Sequence, residues 1–367
     1  MSFDKIKNRL GFGAMRLKMN GEAVDYTEFS AMIDAFIQAG FNYFDTAHGY
    51  IEGKSEVAIG ACLASRYNRE DFVLANKLSE WFVKKEEDVL PFFEKQLETC
   101  RVDYFDFYLC HAVGADNYEK YLSINAFGVL QKLKEQGKIK HIAISFHDSA
   151  EFLDRVLSEQ PMIEVVQLQI NYLDYDDPEV QSEACYNVAV KHGKKVIVME
   201  PVKGGALVNL PPKAAQWLDE LNTGSYASYA LRFAASHSEV ITVLSGMGNM
   251  DMINDNINTF TDFVPVTDKE KEVLFKVKEE IRRAKLIPCT ACNYCLDVCP
   301  EKLPVSEMFN VYNGVLRANY CAAEAGKRMP GGKNAGDCIQ CGKCESVCPQ
   351  NINIRSKLEE IKKEVFQ

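Results

Sequence analysis

The sequence holds no run of 18 or more apolar residues, so it offers no candidate transmembrane helix. Its first residues, MSFDKIKNRLGFG, lack an apolar stretch and a small-residue cleavage site, so no secretory signal is expected there. The cytoplasm is the expected location. Positive charge is in deficit: 42 Lys and Arg stand against 52 Asp and Glu, a formal net charge of -10. That balance argues against a nucleic-acid partner and against an anionic membrane surface. No solenoid-type repeat and no low-complexity tract breaks the chain. What remains is 367 residues of ordinary soluble composition, 47% hydrophobic and 26% charged. That length suits two domains, or one large barrel with an appendage.

From about Asn8 to Gly246, eight short apolar runs alternate with amphipathic stretches. The runs are 9–15, 41–47, 72–78, 104–111, 139–146, 165–172, 195–201 and 240–246. They are continuous rather than alternating, as strands buried on both faces should be. Helical patterns separate them, for example EFSAMIDAFIQAG ending in Gly40, and FGVLQKLKEQGK with Gly137. Eight strands separated by helices is the count of a (β/α)₈ TIM barrel. A doubly wound open sheet is the competing reading. A charged helix over 267–284 follows, and the character of the chain changes at Pro288. The expected domains are therefore a barrel over 1–284 and a second domain over 285–367.

Cysteine is plentiful, at 13 residues, and eight lie beyond Pro288. In a chain of this kind, clustered cysteines read as metal ligands or catalysts rather than disulfides. Cys289, Cys292, Cys295 and Cys299 precede Pro300, and Cys338, Cys341, Cys344 and Cys348 precede Pro349. Each set is C-x₂-C-x₂-C-x₃-C-P, the run that carries two [4Fe–4S] clusters in bacterial ferredoxins. In that arrangement three thiolates wrap one cluster, and the fourth, on the helix that follows, ligates the other. The expected ligand sets are Cys289, Cys292, Cys295 with Cys348, and Cys338, Cys341, Cys344 with Cys299. Zinc is the alternative, but four ligands in two pairs would satisfy it. The stretch between the motifs is longer than a small ferredoxin needs, and 306–326 reads as helix, with Cys321 packed rather than ligating. Cys62, Cys100, Cys110 and Cys185 sit in apolar or amphipathic segments and read as small hydrophobes.

Polar groups at the C-terminal ends of barrel strands face the active site. Asp45 ends the second run, Tyr50 lies in the loop after it, Lys77 ends the third and His111 ends the fourth. Individually, Asp45 could cap a turn, Lys77 could be solvated and His111 could be a satisfied core histidine. Together they suit proton transfer to a carbonyl oxygen. Free tyrosine titrates near pH 10, and a neighbouring lysine cation favours the phenolate. Asp45 would hold Lys77, His111 could orient the substrate oxygen, and Tyr50 becomes a usable general acid.

The segments GFGAMRL, FDTAHGY, LANK, YLCH, ISFH, QINY and SGM…DN resemble those of the aldo-keto reductase family, over about residues 5–265. With the cysteine tail, the chain is similar to a bacterial iron–sulfur subgroup of that family. The resemblance implies a (β/α)₈ barrel, hydride transfer from NADP(H) or NAD(H) to a small aldehyde or ketone, and a catalytic tetrad at Asp45, Tyr50, Lys77 and His111. It further implies that Ser145 and Gln169 hold the nicotinamide amide and that Met15 lies against the cofactor. The usual stacking aromatic falls at Met199. Gly246, Met247, Gly248 and Asn249 form the phosphate loop, and Asn256 lies near the adenine. The arginine that often grips the 2′-phosphate falls at Met252, which weakens the case for NADPH in particular. Gly204 and Gly205 read either as a close backbone approach to a cofactor or as an ordinary loop. His48 and His147 are candidate substrate contacts or solvated histidines. Trp81 is a candidate pocket wall.

Two further functions stay open at the level of sequence. The clusters could exchange single electrons with a ferredoxin or flavoprotein partner, or they could only staple the tail. Hydride carries two electrons while each cluster passes one, and no separate flavin fold is recognisable in the chain.

Overall fold

The computed structural model describes residues 3–366. Eight parallel strands close into a barrel in sequence order. They are β1 (Leu10–Gly13), β2 (Tyr43–Asp45), β3 (Val73–Leu78), β4 (Phe105–Val113), β5 (Ile139–Phe146), β6 (Val165–Gln169), β7 (Lys195–Met199) and β8 (Val240–Ser245). Every expected apolar run coincides with one strand, and β4 continues two residues past its run, to Val113. Closure comes from β1 pairing with both neighbours, as Leu10 meets Val243 and Gly11 meets Tyr43. The open-sheet alternative is thereby removed. Tyr43, Val73, Phe107, Val165, Ile197 and Leu244 join one buried cluster that draws on strands all round the barrel. Helices cover the other strand face, which is why the runs lack alternation.

The helices follow from their apolar spacing. Tyr26–Gln38 buries Phe29, Met32, Ile33 and Phe36, a one-sided i, i+3, i+4, i+7 stripe. Each such burial contributes about 1.5–3 kcal/mol. Asp25 caps the helix by accepting from Glu28 N–H. The chain leaves the far end through Gly40 at φ +90°. Among the described residues, no helix is long and apolar enough to cross a membrane.

The chain forms two compact units, one of residues up to 201 with 228–266, the other of 202–227 with 267–366. The change of sequence character near 285 thus falls inside the second unit. There Pro212–Leu221 packs on Asp268–Arg283. The cysteine region has its own core, including Leu303, Met308, Phe309, Tyr312, Ile354 and Leu358.

The single helix expected over 306–326 is instead two, Val305–Leu316 and Ala322–Arg328. Ala318 stands in the left-handed region at φ +62°. Asn319 N–H donates to Gly314 O and Ala318 N–H to Val315 O, the two bonds of a Schellman stop. Tyr320 then folds back and donates to Val311 O at 2.7 Å. A Cβ on Gly314 would lie 2.1 Å from its hydroxyl, so the glycine makes room for the fold-back. Cys321, expected to be packed, is exposed and precedes the second helix.

Candidate active site and cysteine centres

Asp45 is the last residue of β2, and its carboxylate lies 2.6 Å from the Lys77 ammonium near the end of β3. The neighbouring strands β2 and β3 run in register, Asp45 opposite Ala75, which brings the two side chains together. Lys77 Nζ also donates to Thr46 O at 2.9 Å. Both side chains are buried, at 0% and 3% exposure. Burial pushes Asp45 up and Lys77 down, and each partner's charge opposes the shift of the other.

Tyr50 follows a short loop from β2 and is 7% exposed. After it, Ile51, Glu52 and Gly53 are all left-handed, at φ +51°, +55° and +83°. For a β-branched residue such as Ile51 that conformation costs about 1–3 kcal/mol, so the turn is held against strain. The outcome is that the Tyr50 ring lies with its centroid 4.7 Å from Lys77 Nζ.

His111 stands at a register irregularity of β4, where Ala112 takes φ +53°. Such a bulge re-aims side chains. The His111 ring is 6.0 Å from that of Tyr50 and 5.0 Å from that of Trp81, centroid to centroid. Its Nδ1 is hydrogen-bonded with Ser79 Oγ at 2.7 Å. Tyr121 OH donates to His111 O at 2.6 Å, tying down the backbone. Burial, and then the Lys77 charge, holds His111 well below the usual histidine range, so the ring is neutral.

The residues that sequence reasoning did not single out are the supports. Glu56 is fully buried, and its carboxylate accepts from Asn76 at 2.9 Å and Gln96 at 2.8 Å. His48 Nδ1 lies 2.7 Å from the same carboxylate, so this loop histidine is anchored rather than solvated. Gln96 also donates to Lys77 O. A glutamate on the buried side of Lys54–Ile59 was the available signal. Ser79 carried no comparable signal.

Among the positions suggested for a nicotinamide, Ser145 Oγ accepts from Ala112 N–H at 2.7 Å, joining β5 to the β4 bulge. Gln169 Nε2 donates to buried Asp174 at 2.7 Å, and Asn171 donates to the same oxygen. Met199, at the end of β7, accepts weakly from Gln167 through Sδ at 3.5 Å. Met15 is half-buried in the turn after β1. Arg16 crosses the loop after β8: its guanidinium would meet a Cβ on Gly246, and it pairs with Glu200 at 3.3 Å. Asn249 caps the helix Met250–Thr261 by accepting from Met252 N–H, while Met247 is buried. Asn256 turns inward and donates to Ser245 Oγ at 2.7 Å. Met252 is 49% exposed.

Residues 9–277 match the model of the aldo/keto reductase family. The chain belongs to that family. It is 26% identical to the L-galactose dehydrogenase of Arabidopsis thaliana over 298 residues, 75% of this chain and 91% of the relative. It is also 26% identical over 238 residues to the glyoxal reductase of Bacillus subtilis, covering 64% of this chain and 76% of that one. Among solved structures, an aldo-keto reductase of Bacillus halodurans in its holo form superposes with a TM-score of 0.59 at 25% identity, covering 73% of this chain and 91% of the other. A Klebsiella pneumoniae aldo/keto reductase in complex with NADP and acetate shares the fold, with a TM-score of 0.60 at 18% identity over 74% and 91% of the two chains.

The second unit of this aldo/keto reductase carries an internal repeat. In the first cysteine loop Ala291 and Asn293 are left-handed, and in the second Gln340 and Gly342 are, at the same offsets from Cys289 and Cys338. After the fourth cysteines, Lys302 and Asn351 are left-handed too, and donate to Cys299 O and Cys348 O at 3.1 and 3.0 Å. Cys299 lies just past the short helix Tyr294–Val298, and Cys348 just past a turn over 343–347 rather than on a helix. One small cavity is lined by Cys299, Cys338, Cys341 and Cys344. A second is lined by Cys289, Cys292, Cys295 and Cys348. Each cavity draws three cysteines from one motif and the fourth from the other.

The donor chemistry fits a cationic iron–sulfur core. Burial and then the neighbouring cysteines, Cys348 among them, push the Cys295 thiol up to about 12, so this sulfur needs positive charge beside it to ionise. Among the described residues no three ligating side chains converge on a point that one ion could fill, which suits a cube better than zinc, whose ligands converge to about 2.3 Å. Residues 288–354 match the model of a 4Fe-4S dicluster domain.

Proposed function

We propose that this aldo/keto reductase reduces the carbonyl group of a small aldehyde or ketone, with Tyr50 as the general acid. The observation that carries the reading is the buried Lys77 ammonium, held by Asp45 at 2.6 Å and lying 4.7 Å from the centre of the Tyr50 ring. Bound NAD(P)H supplies hydride to the carbonyl carbon. Tyr50 gives its proton to the oxygen, and Lys77 stabilises the phenolate that this leaves. His111 is neutral; with Ser79 donating to Nδ1, its Nε2–H is directed to the substrate oxygen. Ser145 keeps its hydroxyl hydrogen for the nicotinamide amide. Gln169 donates its NH₂ to Asp174, which fixes the side-chain amide beside that group. The phosphate end has no arginine at Met252, so either nicotinamide cofactor suits the site. Trp81 and Phe82, both partly exposed, wall the mouth beside His111. The relatives named for L-galactose and glyoxal support a small carbonyl or hydroxyl compound as substrate.

The eight motif cysteines are proposed to hold two [4Fe–4S] clusters in the crossed sets that line the two cavities. Such clusters supply or accept single electrons. The two cysteine-lined cavities favour a second reading, in which a ferredoxin or flavoprotein partner passes electrons through the tail to a barrel-bound substrate. The two readings are separated by mixing oxygen-free protein with NADH or NADPH and following nicotinamide and cluster absorbance together. The reductase reading expects nicotinamide oxidation that depends on added carbonyl compound, and its loss in Tyr50→Phe by a factor of 10² or more. An active Tyr50→Phe protein would overturn the assignment of Tyr50. Cluster bleaching by the nicotinamide alone would connect the clusters to the nicotinamide chemistry, and clusters reduced only by a ferredoxin or flavoprotein, with no carbonyl-dependent nicotinamide oxidation, would favour the electron-transfer reading.

A further inference from the structure

The segment after β7, with its pair of glycines, is not used by the proposed hydride chemistry. Lys203, Gly204 and Gly205 form one tight turn in which all three residues are left-handed, at φ +48°, +59° and +92°. This turn belongs to the compact unit that contains the cysteines. A Cβ on Gly204 would stand 2.3 Å from the carbonyl oxygen of Thr290 and 2.6 Å from its Cα. Those are backbone atoms and cannot swing aside. Thr290 sits between Cys289 and Cys292, and it lines the same cavity as they do. Lys203 is 3% exposed, and its Nζ reaches Gln350 Oε1 at 3.5 Å. Gln350 follows Cys348 by two residues and lines that cavity as well. The turn therefore touches the first cysteine loop with its backbone and the partner motif with its cation.

We propose that Lys203 and Gly204 are positioning residues of the first cluster site, the one formed by Cys289, Cys292, Cys295 and Cys348. Gly204 gives the Thr290 backbone the seat that shapes the cysteine loop. Lys203 brings a buried positive charge beside the site. A cluster gains negative charge when it takes an electron, and its potential follows local charge and solvent exposure. A cation buried in a medium of low effective dielectric acts on it more strongly than an exposed one. Lys203 thus raises the potential of the first cluster, whatever else the ammonium bonds, because its removal leaves the surroundings more negative in every case. The proposal rests on the reading that the eight cysteines hold two clusters.

The test is a redox titration of the whole protein, purified without oxygen, in which the two cluster signals are followed by electron paramagnetic resonance. In Lys203→Met one signal should become harder to reduce by tenfold or more, about 59 mV for one electron, while the other stays in place. Lys203→Arg should restore the parent value. Gly204→Ala should lose half of the iron, and the signal it loses should be the one that Lys203→Met moves. Gly332→Ala is the control, since Gly332 is also left-handed, at φ +94°, but has nothing within 4 Å; it should keep all its iron. A parent protein without two cluster signals would refute the cluster reading itself. A parent with two signals, neither moved by Lys203→Met, would overturn the role of Lys203. Full iron in Gly204→Ala would overturn that of Gly204.

Discussion

Replacing Asp45 by Asn tests whether Lys77 is a charge held inside the barrel. The carboxylate and ammonium are 2.6 Å apart with 3% and 0% exposure. At an effective dielectric of about 20, a pair at that distance attracts by about 6 kcal/mol. Asn keeps an oxygen that can accept from Lys77, so part of the attraction survives. Removing one partner of a buried pair costs about 3–5 kcal/mol, because the other charge is left uncompensated. The expected loss at pH 7 is about 3 kcal/mol. The deficit should also depend on pH. Burial already pushes Lys77 down, and without Asp45 its folded pKa falls further. Below the unfolded value of about 10.4, the unfolded chain then binds a proton that the folded chain releases. Stability of the variant therefore rises with pH relative to the parent, and the gap narrows between pH 7 and 9.5. A denaturant titration read by Trp81 fluorescence measures this, in a Trp217→Phe background that removes the second of the two tryptophans. Asp45→Asn with Lys77→Met should recover most of the loss, since no charge is then left buried. A deficit below about 1 kcal/mol with no pH dependence would refute the reasoning.

Three shorter predictions follow from other parts of the molecule. Cys299→Ser and Cys338→Ser should abolish the same paramagnetic signal, and Cys289→Ser and Cys348→Ser the other; pairing within each motif would contradict the crossed cavities. Desolvation pushes His147 down to about 4, so below pH 6.5 the unfolded chain gains a proton that the folded one refuses. Acid should then destabilise the parent more steeply than His147→Asn, by less than about 1.4 kcal/mol per pH unit given partial exposure, in paired thermal melts. Gly60→Ala would place a Cβ 2.5 Å from Thr99 O, so it should cost about 1–3 kcal/mol in a denaturant titration, and a neutral result would mean the helix contact is slack.

The barrel was legible because both faces of its strands are buried. That burial turns each strand into an unbroken apolar run, and eight such runs separated by amphipathic helices leave few alternatives. Asp45, Lys77 and His111 were legible for a related reason, since a charged or titratable side chain ending an apolar strand must be paired or functional. Their supports were not. Glu56 reaches Asn76 and Gln96 from three separate elements, and nothing in their spacing announces the meeting. The helix expected over 306–326 failed at a stop signal written without glycine. Ala318 takes the left-handed position that glycine usually marks, and the fold-back of Tyr320 stabilises it.

The cysteine motifs and the glycine pair mark the two ends of what a sequence can disclose. A C-x₂-C-x₂-C-x₃-C-P run is self-contained, because short covalent spacing alone brings three sulfurs round one centre. Its duplication, with the same left-handed residues in both copies, then makes the exchange of the fourth cysteine a matter of symmetry. Gly204 is the opposite case. Its sequence neighbours signal only that a side chain is unwelcome there, and a nucleotide after β7 was as good a reason as any. The reason lies in Thr290, a residue far along the chain whose backbone occupies the volume a Cβ would need. A glycine reports the presence of a close neighbour but carries no information about its identity. The loop after the seventh strand reads from the sequence either as a cofactor approach or as an ordinary loop, and in the folded chain it abuts a cysteine-lined cavity.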